Sequence, residues 1–297
     1  MKFTGVIPAI ITPMHNDEGI NKRELQRQVN RQITAGAETI FCLGTNGEFY
    51  ALSYEEKISV IETVVEACQG KAKVLAGTGC VTTKETIQLS NDAKQIGVDG
   101  LSVICPYFAQ ASQQDLLHHF MEIADHCDLP LLIYNNPART GANVAEDTLT
   151  SLANHENIVG IKDSSGNFDN ILRYISSTNR NFTVLSGNDS LILWTLLAGG
   201  AGGISGICNL FPERMISIYT LFKNGDVEQA TRIQKSVRGI RNTLKLHNPN
   251  SIVKRAMELC GYKVGPARAP FQIKDTTIDQ KIIEALSQYS EYKRSNS

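Results

Sequence analysis

Short apolar runs rich in Val, Ile and Leu recur along the chain with amphipathic stretches between them. They occupy residues 5–11, 39–43, 73–76, 101–104, 130–134, 158–162, 183–185 and 203–207. Each is too short for a helix, and near-continuous apolar composition suits a strand buried on both faces. The runs start about 20 to 35 residues apart, which leaves room for one helix after each. Strands that alternate with helices belong to a parallel sheet, and eight such units predict a closed (β/α)8 barrel. Asn21, Ser53, Thr82 and Asn143 each stand three residues before a glutamate at the head of a helix-like pattern, so all four are expected N-caps. A doubly wound open sheet is the rival architecture. It calls for a Gly-x-Gly-x-x-Gly turn after a first strand or a Gly-x-x-x-x-Gly-Lys-Ser/Thr phosphate loop, and neither occurs.

After residue 225 the strand signal stops, and residues 226–246, 251–260 and 277–289 carry apolar positions at helical spacing. The chain therefore divides into a barrel, 1–225, that carries the active site, and a helical extension, 226–297. No Gly/Ser-rich linker separates the two, so the extension is expected to pack on the barrel, with residues 293–297 frayed.

Composition narrows the function. A length of 297 residues suits one barrel with an appendage. With 29 basic and 30 acidic residues the net charge is -1, which offers no electrostatic footprint for nucleic acid or an anionic membrane. The N-terminal stretch lacks the pattern of a signal peptide, and no apolar run approaches membrane-spanning length, so a cytoplasmic protein is expected. The seven cysteines are odd in number and lack a Cys-x-x-Cys pair, which points to buried thiols. The six histidines form no ligand spacing, so no dedicated metal site is expected.

Candidate chemistry gathers at the ends of the strands, because a parallel barrel places its catalytic groups at the C-terminal mouth. Lys162 closes the run Ile158-Val159-Gly160-Ile161 just before the polar turn Asp163-Ser164-Ser165-Gly166. A cation at the end of a buried strand either reaches out into water or points into a site that uses it. In the second case burial depresses the amine's pKa, and only the neutral amine attacks a carbonyl carbon. Tyr134 ends the preceding strand, so both side chains are expected to face one cavity. The second strand leads into Gly44-Thr45-Asn46-Gly47-Glu48, whose glycines let the backbone approach a ligand while Thr45 and Asn46 offer polar groups.

These motifs, together with Gly5-Val6-Ile7-Pro8-Ala9, Gly77-Thr78-Gly79, Pro106-Tyr107, Tyr134-Asn135-x-Pro137, the run Gly199 to Ser205, Lys254 and Arg268-x-Pro270, resemble the dihydrodipicolinate synthase / N-acetylneuraminate lyase superfamily of class I pyruvate aldolases and lyases. The resemblance runs over nearly the whole chain. It implies that Lys162 forms an imine with the keto carbon of pyruvate or another 2-oxo acid, that Tyr134 shuttles protons, and that Thr45 orients Tyr134. It further implies that Asn46 and the turn's amides hold the pyruvate carboxylate, that the Ile204 carbonyl lies near the substrate hydroxyl, and that Gly187 lines the cavity. No cofactor is called for, because the protonated imine is itself the electron sink. A homo-oligomer, dimer or tetramer, is implied, with Tyr107 and Phe108 at the tighter contact.

Three positions bear on which member the chain resembles. Arg139 matches the arginine with which dihydrodipicolinate synthases grip the carboxylate of aspartate semialdehyde, and a guanidinium suits that task. Asn46 replaces a second threonine and looks more like the turn of 4-hydroxy-2-oxoglutarate-type aldolases. Phe108 replaces a tyrosine that completes the synthases' proton relay across a dimer contact, and phenylalanine relays no proton. The helix after Ser53 lacks the histidines of lysine-inhibited synthases, so feedback inhibition by lysine is not expected. The sequence-based expectation is a lyase: a Schiff-base, pyruvate-dependent aldolase acting on a small 2-oxo acid. The alternative within the family is a synthase condensing pyruvate with aspartate semialdehyde. A non-catalytic sensor of pyruvate is the alternative outside it, though a mere binder has no need of the imine nucleophile.

Overall fold

All eight apolar runs form strands, and they follow one another around a single parallel sheet. The computed structural model describes residues 2–179 and 181–295. Its strands are β1 (Gly5–Pro8), β2 (Thr39–Cys42), β3 (Lys73–Gly77), β4 (Gly100–Ile104), β5 (Leu131–Asn135), β6 (Ile158–Asp163), β7 (Thr183–Ser186) and β8 (Gly202–Ser205). From β2 to β8 each strand pairs in parallel with the next, and β8 pairs with β1. Pro8 brings no N–H to the seam between β1 and β2. Closure there falls to a parallel bridge between Ala9 and Phe41, with the Ile10 N–H donating to the Phe41 carbonyl at 2.9 Å. The helices Lys22–Thr34, Tyr54–Cys68, Thr83–Ile96, Gln113–His126, Glu146–Leu152, Phe168–Ser177, Ile192–Leu197 and Pro212–Lys223 follow the strands in turn. The architecture is the expected (β/α)8 barrel.

Three of the four expected caps form. Asn21, Ser53 and Thr82 accept hydrogen bonds from the backbone N–H groups of Glu24, Glu56 and Glu85, and Glu56 returns one to the Ser53 N–H. Asn143 is the exception, since Ala145 occupies the cap position of Glu146–Leu152. The Asn143 side-chain oxygen instead accepts from the amides of Asn135 at 2.8 Å and Asn170 at 2.9 Å. Asn135 is fully buried and needs partners, whereas a helix end near solvent has water.

The barrel interior is filled by Phe3, Ile7, Phe41, Leu75, Leu132, Leu185 and Ile204. Side chains two apart on a strand share a face, so the face that carries Leu132 also carries Tyr134, and the face that carries Gly160 carries Lys162. A Cβ at Gly160 would stand 2.4 Å from the Thr183 carbonyl oxygen and 2.8 Å from a Leu132 methyl. The glycine therefore leaves space for Leu132 beneath the site. All seven cysteines are buried and unpaired, and burial pushes the Cys42 and Cys105 thiols up to about 12, which makes them apolar filler rather than nucleophiles.

The extension packs on the barrel, and its helices differ in places from expectation. The helix expected over 226–246 is two, Val227–Ser236 and Arg238–Thr243. At the break the Tyr289 hydroxyl accepts from the Ile240 N–H at 3.2 Å and donates to the Ser236 carbonyl at 2.6 Å, so a side chain stands in for ladder bonds. Helices Pro249–Leu259, Thr277–Leu286 and Ser290–Ser295 follow. The expected frayed end, 293–297, is helical through Ser295, and Asn296 and Ser297 lie outside the described residues. Among the described residues no helix is long and apolar enough to cross a membrane.

A buried ion pair locks the extension to the turn after β2. Glu48, in the left-handed region at φ 57°, lies 2.5 Å from the Lys254 ammonium, and both side chains are almost wholly buried. The Arg268 N–H donates to the other Glu48 oxygen at 2.9 Å, and Lys254 also donates to the Pro266 carbonyl at 3.0 Å. Arg268 grips both Glu56 carboxylate oxygens at 2.7 Å. Removing one member of such a pair strands the other charge. Lys254→Met should therefore lower the stability to urea by about 3–5 kcal/mol, and the double variant Glu48→Gln/Lys254→Met should recover much of the loss. A single variant as stable as the parent would show that the pair is not the lock.

Candidate active site

The β5–β6 register sets Tyr134 directly beside Lys162. The Lys162 ammonium lies 3.8 Å from the centroid of the Tyr134 ring and 4.9 Å from that of Phe41, so aromatic faces replace much of its water. Only 4% of Lys162 is exposed. Burial lowers its pKa below the ordinary 10.5, against the charges of Tyr134 and Asp189, which raise it. For Tyr134, burial pushes the phenol up, but the Lys162 charge and hydrogen bonds involving Thr45, Asn136 and Ser164 outweigh it, so the phenol lies below its ordinary 10. Amine and phenol both lie below their ordinary values and stand side by side, which suits passage of a proton between them.

The Tyr134 hydroxyl is 3.0 Å from the Thr45 hydroxyl and accepts from the Asn136 amide at 2.9 Å. Thr45 opens a single 3-10 turn, Thr45–Gly47, held at both ends. Asn250 of the extension donates to the Thr45 carbonyl at 2.6 Å, and the Thr12 hydroxyl donates to the Gly47 carbonyl at 2.7 Å. Asn46 packs against Gly206, where a Cβ would come within 2.7 Å of the Asn46 amide nitrogen. Gly187 is crowded in the same way: a Cβ there would meet the Ser164 hydroxyl at 1.9 Å and the Lys162 Cε at 3.0 Å.

One cavity of about 270 Å³, open to solvent, brings together Lys162, Tyr134, Thr45, Asn46, Gly187 and Ile204, with Arg139 also on its lining. Arg139 belongs to a short helix, Pro137–Thr140, rather than to an irregular loop, and its side chain is exposed. Tyr107 and Phe108 lie outside this cavity. Tyr107 lines an adjoining one and meets the Phe49 ring edge-on at 5.8 Å, while Phe108 is 99% exposed at a φ of 76°. The cavity is bordered by further polar residues that were not expected site residues, among them Asn136, Ser164, Asp189, Arg241, Lys245 and Asn250. Asn136 and Ser164 stand two residues beyond Tyr134 and Lys162 at the strand ends, where same-face spacing could have found them, whereas Asp189 opens a 3-10 turn past β7. Arg241 and Asn250 come from the extension and had no local signal.

A buried amine of lowered pKa, a phenol beside it, and a hydroxyl and amide on a fixed turn can form an imine with a carbonyl compound and move the protons the steps require. Comparison with known proteins agrees. The model of the dihydrodipicolinate synthetase family matches residues 2–289. The 4-hydroxy-tetrahydrodipicolinate synthase of Methanosphaerula palustris is 37% identical over 290 residues, covering 97% of this chain and 99% of that one. The solved synthase of Methylacidiphilum fumariolicum superposes with a TM-score of 0.94 at 33% identity, over 99% of this chain and 97% of that one. The chloride-inhibited dihydrodipicolinate synthase of Acinetobacter baumannii, solved with pyruvate, gives 0.93 at 32% identity, over 97% and 99%. These likenesses favour the synthase over the aldolase expected first.

Two outcomes follow from the geometry. Gly187→Ala should slow adduct formation with a 2-oxo acid about tenfold or more, since overpacking of this kind costs roughly 1–3 kcal/mol and here displaces the Lys162 stem. An unchanged rate would mean the loop yields. Imine formation needs the neutral amine, so its rate should rise with pH through the Lys162 pKa, at a pH below 10.5. Tyr134 holds that pKa up, so Tyr134→Phe should move the rise to lower pH whatever it does to the maximal rate. A rise that stays in place in the variant would show that the phenol does not set it.

Proposed function

This chain belongs to the dihydrodipicolinate synthetase family, whose enzymes are lyases of the class I aldolase type, and we propose that it is a 4-hydroxy-tetrahydrodipicolinate synthase. The observation that carries the reading is the buried Lys162 amine against Tyr134, in a cavity that also holds Arg139. The neutral Lys162 amine attacks the keto carbon of pyruvate. Tyr134 supplies a proton to the departing hydroxyl, water leaves, and an imine forms. Loss of a proton from the methyl carbon gives an enamine, which attacks the aldehyde carbon of aspartate semialdehyde. The acceptor's amino group then attacks the imine carbon, closes the ring and releases Lys162.

Asn46 and the turn amides hold the pyruvate carboxylate in this scheme, the Ile204 carbonyl faces the substrate hydroxyl, and Arg139 grips the acceptor's carboxylate. With Phe108 in place of a hydroxyl-bearing residue, the proton path runs through Tyr134 and Thr45 alone. The exposed Phe108 ring, held on a left-handed backbone, supports a paired assembly in which this aromatic segment is buried against a second copy. Two observations speak against the synthase and for the aldolase, namely Asn46 in the turn and Phe108 in place of the relay tyrosine.

Steady-state kinetics decides between the two. Condensation of pyruvate with aspartate semialdehyde should show a larger kcat/KM than cleavage of 4-hydroxy-2-oxoglutarate. Arg139→Ala should lower the former by about 1.5–3 kcal/mol, the worth of a charged hydrogen bond. Faster cleavage than condensation would return the chain to the aldolase reading.

A further inference from the structure

Within the cavity around Lys162 the charges do not balance. Its lining carries the cations Arg139, Lys162, Arg241 and Lys245 against a single acid, Asp189. That acid is already engaged: Asp189 is buried, and one of its oxygens accepts from the Ser205 hydroxyl at 2.5 Å and the Ile207 N–H at 3.3 Å. Asp189 feels the charge of Arg241, yet among the described residues no ion pair or side-chain hydrogen bond joins Arg241 to any group. The Arg241 Nε is buried with no partner, an arrangement that folded proteins seldom leave unfilled.

The backbone that carries Arg241 is fixed. Its helix, Arg238–Thr243, is pinned where the Ile240 N–H meets the Tyr289 hydroxyl, and the Thr243 hydroxyl donates to the Ile240 carbonyl at 2.6 Å. A guanidinium that borders the cavity from a tethered helix, with its donors unused, suits a planar anion. Lys245, exposed on the same wall, adds a second positive charge.

We infer that Arg241 and Lys245 form an anion-binding wall on the helical extension and select ligands bearing a carboxylate distal to the carbon that reaches Lys162. The inference rests on the proposed imine at Lys162 and adds a specificity-determining pair from a part of the chain outside the barrel. Arg139, on the segment after β5, and Arg241, beside the turn after β7, then address a ligand from different strand ends.

Borohydride trapping of single 2-oxo acids tests this without any aldehyde partner. The probes are 2-oxoglutarate against 2-oxopentanoate and 2-oxoadipate against 2-oxohexanoate, pairs that differ at the far end by a carboxylate. In at least one pair the parent protein should half-saturate at about tenfold lower concentration with the dicarboxylate, the size of one charged hydrogen bond. Arg241→Gln should remove most of that advantage and Lys245→Gln a smaller part. If Arg241→Gln does not fold, Lys245→Gln carries the comparison. The inference is overturned if the parent shows no preference, if the preference survives both substitutions, or if only Arg139→Ala removes it. Trapping that fails with every 2-oxo acid defeats the imine reading and this inference together. A dicarboxylate preference that depends on Arg241, in a protein that does not condense pyruvate with aspartate semialdehyde, upholds the inference and defeats the synthase reading alone.

Discussion

A lysine withdrawn from water gives up hydration that few protein groups replace, and it stays withdrawn only where the surrounding structure fixes it. Lys162 is such a group, and much of the local architecture follows from accommodating it. The neighbouring strand β5 sets the face of Tyr134 near its ammonium, and β2, elsewhere around the barrel, sets that of Phe41. Glycine at 187 clears the path of its stem, and glycine at 160 lets Leu132 fill the layer below. Desolvation makes the amine easier to deprotonate while the phenol limits how far that goes. The chemical competence of the site is thus a consequence of burial, produced by the packing that closes the barrel.

The barrel supplies Lys162, but it does not by itself hold the turn that carries Thr45 and Asn46. That turn is braced from the extension by Asn250 on the Thr45 carbonyl and by Lys254 on Glu48. Glu48 occupies a left-handed backbone conformation, which a non-glycine residue adopts at a cost and keeps when its surroundings over-determine it. The Lys254 ion pair and the Arg268 N–H provide that constraint. The extension therefore lines one wall of the cavity and braces its turn.

Much of this was legible in the sequence because its signals are local. Eight apolar runs specify eight strands, and the order of elements leaves few topologies besides the barrel. Lys162 and Tyr134 were readable as partners because consecutive strands in a barrel are neighbours. What stayed hidden depends on distant parts of the chain. Asn143 has the local spacing of a cap, yet buried Asn135 claims its oxygen. The pattern over 226–246 is continuous, but the Tyr289 hydroxyl, far along the chain, enters it at Ile240. Arg241 and Asn250 reach the cavity only through the packing of helices whose periodicity shows which faces are apolar and not where those faces dock. Likeness to synthases spread over nearly the whole chain favours the synthase reading against Asn46 and Phe108, since two substitutions weigh less than such similarity.

The central claim is that burial makes Lys162 the covalent nucleophile toward pyruvate. Reduction with borohydride in the presence of pyruvate, followed by intact-mass measurement and peptide mapping, tests it most directly. The account predicts one reduced pyruvate adduct per chain, on the peptide containing Lys162, and none in a folded Lys162→Ala variant. An adduct on another lysine, or no adduct where a related synthase forms one under the same conditions, would contradict it.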